Sequence, residues 1–581
     1  MTRNAKIVCT LGPASADSET ITELAQAGMS VARFNASHGS TAQRRELIEA
    51  VRTIDERVDR TVATLLDMPG PEVRTATLET PIELVDGQTV AFYEGTEATS
   101  ERIGLSRSIA GASAGDSILL DDGRIEATVT ATDGDTVTAE VDSGGELASR
   151  AGVNLPGVDL DLPTITAADE AELDLAAEMN VDFVAASFVR SGEDVYEVSA
   201  ALEARDADIP IIAKIERADA VENIEEIVEA AYGVMVARGD LGVECPLEDV
   251  PIIQKRIVRH CHREGVPVIT ATEMLDSMIH ERRPTRAEAS DVANAVLDGT
   301  DAVMLSGETA VGDHPVRVVE TMCRIIEDVE DSEEYDELLE QRVPPADDTK
   351  TGALARSARF LARDVDASAV VAASESGYTA RKAAKFRPNI PVVAWTPTER
   401  VCRQLALSWG IIPQQASHTA ESADAVIQSS VQSAKEAGAI ESGDTAVVIS
   451  GMMTELEGMD TANMLKVHVA SETLASGRAI VAGYTAGPLH RVGDGDLSDA
   501  PDGAILVVPA GFDGEFRGDV SKLGGIISAY EGMTGYAAIV ARELDVPMVG
   551  DATIPDEVPA GTSITVDGEH GVIYATANTE R

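Results

Sequence analysis

Several short apolar runs in this sequence end on polar residues of kinds that do chemistry together. Arg33, Asn35 and Ser37 close the second run and Asp67 the third; Lys214 and Glu216 close the fifth, and Arg238 and Asp240 follow the sixth. Thr272 follows the seventh, and Ser306 and Glu308 follow the eighth. Glu216 and Asp240, from different runs, suit a hard divalent cation, which prefers oxygen ligands and keeps positions open for substrate and water. Lys214 and Arg33 beside them suit a phosphorylated substrate. A salt bridge explains one such residue as well as chemistry does. Six loaded ends together are not explained that way, because buried polar groups are costly unless paired or used.

The elements that must position these groups follow from the apolar rhythm. Up to about residue 70, strands over Ala5 to Thr10, Val31 to Asn35 and Val62 to Asp67 alternate with amphipathic stretches over Ser18 to Gln26 and Gln43 to Arg57. Such alternation predicts βα units. From 71 to 156 the pattern changes to short strands between Asp86-Gly87, Asp122-Gly123, Asp133-Gly134 and Gly144-Gly145, which predicts an inserted all-β lid domain. The βα rhythm resumes with strands over Phe183 to Ser187, Ile211 to Ile215, Gly233 to Ala237, Val268 to Ala271 and Ala302 to Leu305. Three strands before the insertion and five after it predict an α/β fold, a TIM (β/α)8 barrel over 1–70 and 157–342 interrupted after strand 3, with its chemistry at the strand ends. An acidic helix over Glu333 to Gln341 and a Pro-rich linker precede a second α/β domain over 350–472 and a β/α extension over 473–581.

Composition narrows the partners. The 581 residues hold 100 acidic and 46 basic side chains, a net charge of -54, spread along the whole chain. This excludes nucleic acid as an expected partner. With 44% hydrophobic residues in patterned segments, it also excludes an acidic disordered chain. A dispersed acidic surface repels itself in dilute buffer, whereas at molar salt the screening length falls to roughly 3 Å. The expectation is a halophilic protein of a salt-rich cytoplasm, with lysine scarce enough that each one invites a question. Cys9, Cys245, Cys261, Cys323 and Cys402 lie singly and are expected to be reduced core residues. No membrane partner is expected: no signal-peptide h-region and no stretch of transmembrane length is read.

The segment Lys6-Ile7-Val8-Cys9-Thr10-Leu11-Gly12-Pro13-Ala14-Ser15 resembles the N-terminal signature of pyruvate kinases. In family order follow Arg33 to Gly39, Gly70-Pro71-Glu72-Val73-Arg74, Ala213-Lys214-Ile215-Glu216, Ala237 to Gly242, Ala271 to Leu275, Arg283 to Glu288 and Leu305 to Thr309; the resemblance spans roughly 4–470. It implies transfer of the phosphoryl group of phosphoenolpyruvate to ADP, giving pyruvate and ATP in the last step of glycolysis. It further implies Mg2+ or Mn2+ on Glu216 and Asp240, and substrate binding by Arg33, Lys214, Gly239, Asp240 and Thr272. Lys214 would stabilise charge during transfer, with Arg33 on the phosphoryl group and Thr272, Ser306 and Glu308 in protonation of the enolate. Asn35, His38 and Arg74 match nucleotide positions. Asn35, Ser37, Asp67 and the Met68 carbonyl match a K+ site, and Glu72 stands where potassium-independent relatives carry lysine. Two departures stand out: Met68-Pro69 replaces the usual threonine and lysine, and Arg150 lies one residue from the usual lid lysine.

In the second α/β domain, Ser376 to Arg381 and Asn463 to His468 resemble the family's C-terminal domain. Ser374, Ser376, Gly377 and Thr379, at a predicted strand-to-helix turn, form a candidate site for a phosphorylated allosteric effector; a plain capped helix start reads equally well. A homotetramer is the expected assembly. In the extension, Gly532-Met533-Thr534-Gly535-Tyr536 through Arg542 resembles the swivelling phosphohistidine domain of phosphoenolpyruvate-utilising enzymes, with Tyr536 in the histidine's place and His570 in a closing strand region. That predicts a folded, non-catalytic appendage. Two other readings are a divalent-metal TIM-barrel lyase, which needs neither the lid nor Arg74 and His38, and a non-catalytic sensor of phosphoenolpyruvate or sugar phosphate. The sensor predicts a lost metal or proton-relay residue, and none of the matched positions is lost.

Overall fold

The computed structural model describes residues 3–55, 58, 60–416, 423–441, 443–451, 462–470, 473–493, 495–512, 514–530, 535–569 and 571–575. The chain divides into two compact units: Met1–Asp364 with Ala369–Ser433 and Val447–Lys466, and Val365–Ser368 with Ala434–Ala446 and Val467–Arg581.

In the first unit, eight parallel strands close a barrel: β1 (Lys6–Thr10), β2 (Val31–Asn35), β3 (Ala63–Asp67), β4 (Phe183–Ala186), β5 (Ile211–Ile215), β6 (Gly233–Ala237), β7 (Val268–Ala271) and β8 (Ala302–Leu305), in the order β1-β8-β7-β6-β5-β4-β3-β2. They are apolar on both faces, as a parallel sheet covered by helices requires. Val8, Leu65, Phe183, Ile212, Met235, Ile269 and Met304 fill one buried cluster, while alternate residues such as Ile7, Cys9, Leu66, Val184, Ala213 and Val303 belong to another shared with the helices. The two-residue period of a strand sets this division.

Helix ends account for part of the matched sequence. Thr285 caps the helix Arg286–Asp298 in a reciprocal box with Glu288, and Gly299 ends it at φ 98°. Glu288 also accepts the Ser277 N–H (2.7 Å) and hydroxyl (2.6 Å), so that segment holds a loop beneath the mouth. A buried Arg44–Glu172 pair ties the helix Thr41–Asp55 to Ala167–Met179.

Between β3 and β4 lies a seven-stranded sheet containing Val73–Arg74, Thr89–Glu94, Arg102–Leu105, Ser117–Leu120, Ile125–Asp133, Thr136–Ser143 and Gly152–Asn154. Its core, with Phe92, Ile103, Ile118, Val137 and Ala139, is separate from that of the barrel. The expected insertion after the third strand is present.

A further sheet takes the order Ile411–Gln415, Val392–Thr396, Ala369–Ala373, Thr445–Ser450, Met464–Val469. Buried polar contacts join the barrel to helices of this region: Arg403 pairs with Asp182 at 2.9 Å, and Arg387 with Asp301 at 3.1 Å. In the second unit, Tyr484–Arg491, Ala504–Val508, Leu523–Ser528 and Met548–Gly550 belong to an eight-stranded sheet accompanied by the helix Tyr536–Leu544. None of the five cysteines forms a disulfide; four are buried and Cys245 is half-buried, so the expectation of core residues holds for four. Among the described residues no helix is long and apolar enough to cross a membrane.

Asp182 has no exposed surface and, besides Arg403, accepts the Thr64 N–H and hydroxyl, each at 2.8 Å. Asp182→Ala leaves a buried guanidinium short of a partner and is expected to destabilise the unit by about 3 kcal/mol. Urea unfolding at fixed salt measures this, and an unchanged midpoint would refute it.

Candidate active site

At the carboxyl ends of the strands one charge network runs across five neighbours. The Lys214 ammonium lies 2.7 Å from Glu216 Oε1, 3.3 Å from Asp67 Oδ1 and 2.7 Å from the Ser187 hydroxyl oxygen. Asp67 takes Arg33 Nη2 at 2.6 Å and Nε at 2.7 Å, and Arg33 Nη1 donates to Thr10 Oγ1 at 2.8 Å. Thr10, Arg33 and Asp67 lie on β1, β2 and β3, Ser187 follows β4, and Lys214 is on β5. The register Thr10↔Arg33 and Asn35↔Asp67 sets the first three.

Asp67 and Glu216 are each 1% exposed. Burial acts to lower the Lys214 pKa, but Asp67 and Glu216 more than offset it and hold the ammonium above the usual lysine range. For Asp67, burial acts upward while Lys214 and Arg33 hold the carboxyl below its ordinary value. Burial, with Asp240 beside it, pushes Glu216 up, and burial pushes Asp240 up.

The Glu216 and Asp240 carboxyl groups stand close enough for each to act on the other's ionisation. Two adjoining carboxyls, Glu216 buried and Asp240 half-buried, each driven toward its neutral form, make a site that a divalent cation would relieve. Among the described residues no three His, Cys, Asp or Glu side chains converge as a complete metal cage. A pair of carboxylates that leaves positions for substrate oxygens is the pattern that Mg2+ uses.

The far side of the mouth is held by Arg238. Its guanidinium pairs with Asp291 at 2.7 Å and donates to the Ala271 and Thr272 carbonyls at 3.0 and 2.7 Å. Arg238, one of the strand-end residues of the sequence, is thus a scaffold residue. Thr272 and Glu273 sit at φ 67° and 54°, uncommon for any residue with a side chain and costly for a β-branched one. The Thr272 hydroxyl accepts the Gly239 N–H at 2.8 Å and donates to the Ala271 carbonyl at 2.7 Å. Glu308, 2% exposed, accepts the Leu275 N–H at 3.1 Å and the Ser306 N–H at 2.6 Å. Burial pushes its carboxyl up although these two N–H groups act downward.

The expected K+ ligands carry other duties here: Asn35 Oδ1 accepts the Ser37 N–H at 3.0 Å, and the Met68 carbonyl accepts the Ser187 hydroxyl at 2.7 Å. Each oxygen retains a lone pair. His38 is exposed, and its carbonyl accepts Arg44 at 2.7 Å. Arg74 pairs with Glu72 at 2.7 Å and donates to the Arg150 carbonyl at 3.0 Å, while the Arg150 side chain is exposed. At the expected effector turn, between the strand Ala369–Ala373 and the helix Tyr378–Lys385, Ser374 and Ser376 accept the N–H groups of Thr379 (3.2 Å) and Tyr378 (3.4 Å), and Gly377 has φ 78°. Tyr536 begins its helix 39% exposed, with its ring 5.2 Å from that of Phe516. Gly532, Met533, Thr534 and His570 lie outside the described residues.

Four participants escaped the strand-end reading. Ser187 links Lys214 to the Met68 carbonyl, and reading the end of the fourth run would have found it. Phe188, at φ 56°, turns its N–H onto Glu216 at 2.6 Å, which no sequence signal announces. Gly70, at φ 71°, passes so close to Ser187 that a Cβ would lie 2.8 Å from the serine Cβ. Asp122 of the inserted sheet adds negative potential at Asp240.

Family models match this chain in three consecutive parts: the barrel domain of pyruvate kinase over residues 2–319, its alpha/beta domain over 352–468, and the mobile domain of PEP-utilising enzymes over 500–571. A pyruvate kinase of Geobacillus stearothermophilus is 43% identical over 585 residues, covering 99% of each chain. Those of Staphylococcus aureus (strain MRSA252) and Staphylococcus saprophyticus are 41% and 40% identical over 582 residues, covering 98% of this chain and 99% of theirs. With its interrupted barrel, its buried lysine between acidic strand ends and these full-length likenesses, the chain belongs to the pyruvate kinase family.

Proposed function

We propose that the barrel mouth transfers the phosphoryl group of phosphoenolpyruvate to ADP, and that Lys214, held between Asp67 and Glu216 beside Arg33, is the observation that carries this reading. The bond between the enol oxygen and phosphorus breaks with its electrons passing to the enol oxygen, and the phosphoryl group moves to the terminal phosphate oxygen of ADP. Charge on the phosphoryl oxygens and the enolate then develops beside a lysine and an arginine that are already in place. Fixed charge in a water-poor site needs no reorganisation at the moment of reaction. Arg33 grips the phosphoryl group, and the Gly239 and Asp240 N–H groups with the Thr272 hydroxyl receive the substrate carboxylate.

Glu216 and Asp240 hold Mg2+ or Mn2+, which when bound polarises the substrate oxygens. The enolate carbon then takes a proton by way of water at Thr272. Glu308, whose pKa burial raises, and Ser306 stand behind it. Asn35, His38 and Arg74 contact the nucleotide, and the inserted sheet closes as a lid that excludes water. Asn35, Ser37, Asp67 and the Met68 carbonyl hold K+. A phosphorylated effector binds at Ser374 to Thr379, and the chain works as a homotetramer in the cytoplasm. In the extension over 473–581 Tyr536 stands in the place of the phosphoryl-carrying histidine, so the extension plays a non-catalytic part.

ATP formation from phosphoenolpyruvate and ADP in a coupled assay tests the whole reading; a lyase or a sensor would form none. Lys214→Met is expected to lower turnover at least about a thousandfold, because the charge matters most in the transition state. Phosphoenolpyruvate binding should change little, and a variant that keeps a tenth of wild-type turnover would sink the assignment. Activity at matched ionic strength should be higher in KCl than in NaCl, since the set offers a hard monovalent cation oxygen ligands alone and Glu72 cannot supply the positive charge that a lysine there would. Equal rates in the two salts would remove K+ from the mechanism.

A further inference from the structure

The helix Arg286–Asp298, which runs between β7 and β8, grips the Thr272 side of the mouth at two points. In its first turn Glu288 accepts the Ser277 N–H and hydroxyl, downstream of the strained residues. About one helical turn further on, Asp291 takes Arg238, whose guanidinium reaches the strained residues themselves.

That guanidinium is held along two edges. Nε donates to the Ala271 carbonyl at 3.0 Å, and Nη2 to the Thr272 carbonyl at 2.7 Å. On the other edge Nη1 lies 2.8 Å from Asp291 Oδ1, and Nη2 lies 2.7 Å from Oδ2. Two parallel contacts to one carboxylate stop a planar fork from rotating. The remaining acceptors hold it less well: Gln254 Oε1 is 3.3 Å from Nη1, and a thioether such as Met274 Sδ, 2.8 Å from Nη2, accepts weakly. Among the described residues Asp291 is the one carboxylate paired with Arg238.

The Ala271 and Thr272 carbonyls belong to the peptide planes on either side of Thr272. Fixing both planes fixes φ and ψ of the residue between them, because each plane is rigid. Thr272 needs this, since φ 67° is unfavourable for a β-branched residue unless its surroundings impose it. The hydroxyl closes the ring by accepting the N–H of Gly239, the residue after Arg238, at 2.8 Å. Side chain and backbone of one segment therefore set where that hydroxyl stands.

We infer that Asp291 is a positioning residue for protonation of the enolate, an inference that rests on Thr272 being the residue beside which the carbon gains its proton. Asp291 acts through Arg238: it locks the guanidinium, the guanidinium locks the two peptide planes, and these place the hydroxyl.

Exchange of the pyruvate methyl hydrogens with D2O, followed by NMR in MgCl2, KCl and inorganic phosphate, isolates the step in reverse. A C–H bond breaks with its electrons passing to the carbonyl oxygen, the proton leaves through water, and a deuteron returns to the carbon. Asp291→Ala should slow this exchange at least about tenfold, since a misplacement near 1 Å costs that much or more. KM for ADP should stay as in the wild type. In a Thr272→Ala background the same substitution should cost less than about twofold, because residues that act through one group are not additive. Asp291→Asn, which keeps the side chain's size and one acceptor oxygen, should give a smaller loss in the first background and again almost none in the second. An equal loss in both backgrounds, for either substitution, overturns the inference. Wild-type exchange in Thr272→Ala alone removes the role of Thr272 and the inference with it. Crystals of Asp291→Ala give a direct view: Thr272 is expected to leave the left-handed region, and a turn unchanged there, with Arg238 still on both carbonyls, would also overturn the role of Asp291.

Discussion

The buried ammonium of Lys214 is the interaction on which the mouth of the barrel depends. A lysine taken out of water loses its charge unless acidic groups hold it, and here Glu216 does so from the end of the same strand and Asp67 from the end of β3. The dependence is mutual: Asp67 stays ionised under burial because Lys214 and Arg33 stand against it. Removing Lys214 or Asp67 leaves the neighbours short of a partner in a site with little water, so these side chains are useful mainly together. Parallel strands in fixed register keep them together, because a shift by one residue would turn each side chain to the opposite face of the barrel wall.

The same economy explains why the opposite side of the mouth is built differently. Arg238 spends its guanidinium on Asp291 and on the two carbonyls that flank Thr272. What it secures is backbone: Thr272 and Glu273 at positive φ, a conformation that costs energy and persists only where the surroundings over-determine it. One half of the site is thus a set of charges placed by strand register, and the other a strained turn clamped by an arginine.

Much of this was legible in the residues. The apolar runs located all eight barrel strands to within a residue or so, and the change to short strands after Asp67 marked the insertion. Reading the strand ends was enough to bring Arg33, Asp67, Lys214, Glu216 and Asp240 to one mouth, because residue type and spacing alone place them there. What stayed hidden depends on direction. Phe188 enters through a backbone N–H and Gly70 through closeness to Ser187, and neither has a signature in residue type. Arg238 is legible as a polar strand end, but that it anchors the Thr272 loop depends on where its guanidinium turns. Ser374 and Ser376 stand at a helix start as expected, where they cap the first turn. Capping and anion binding use the same donors, so the sequence leaves the two readings level.

The placement of charge carries one further consequence. A chain with 100 acidic and 46 basic residues has few basic side chains to spend, yet Lys6, Arg33, Lys385, Arg387 and Arg403 are buried, and Lys214 is nearly so. They stand at joints: between strand ends, between barrel and helices, and beneath Ile411, whose carbonyl accepts from the Lys6 amino group at 2.7 Å. Salt screens charges on the surface over a few ångströms but reaches buried pairs much less. Changing the salt therefore acts mainly on repulsion among the outer carboxylates, and leaves the inner cations tied to partners that water does not reach. Surface and interior respond to ionic strength as nearly separate systems, so the outside of this chain is free to become highly acidic without disturbing the charges that shape its site.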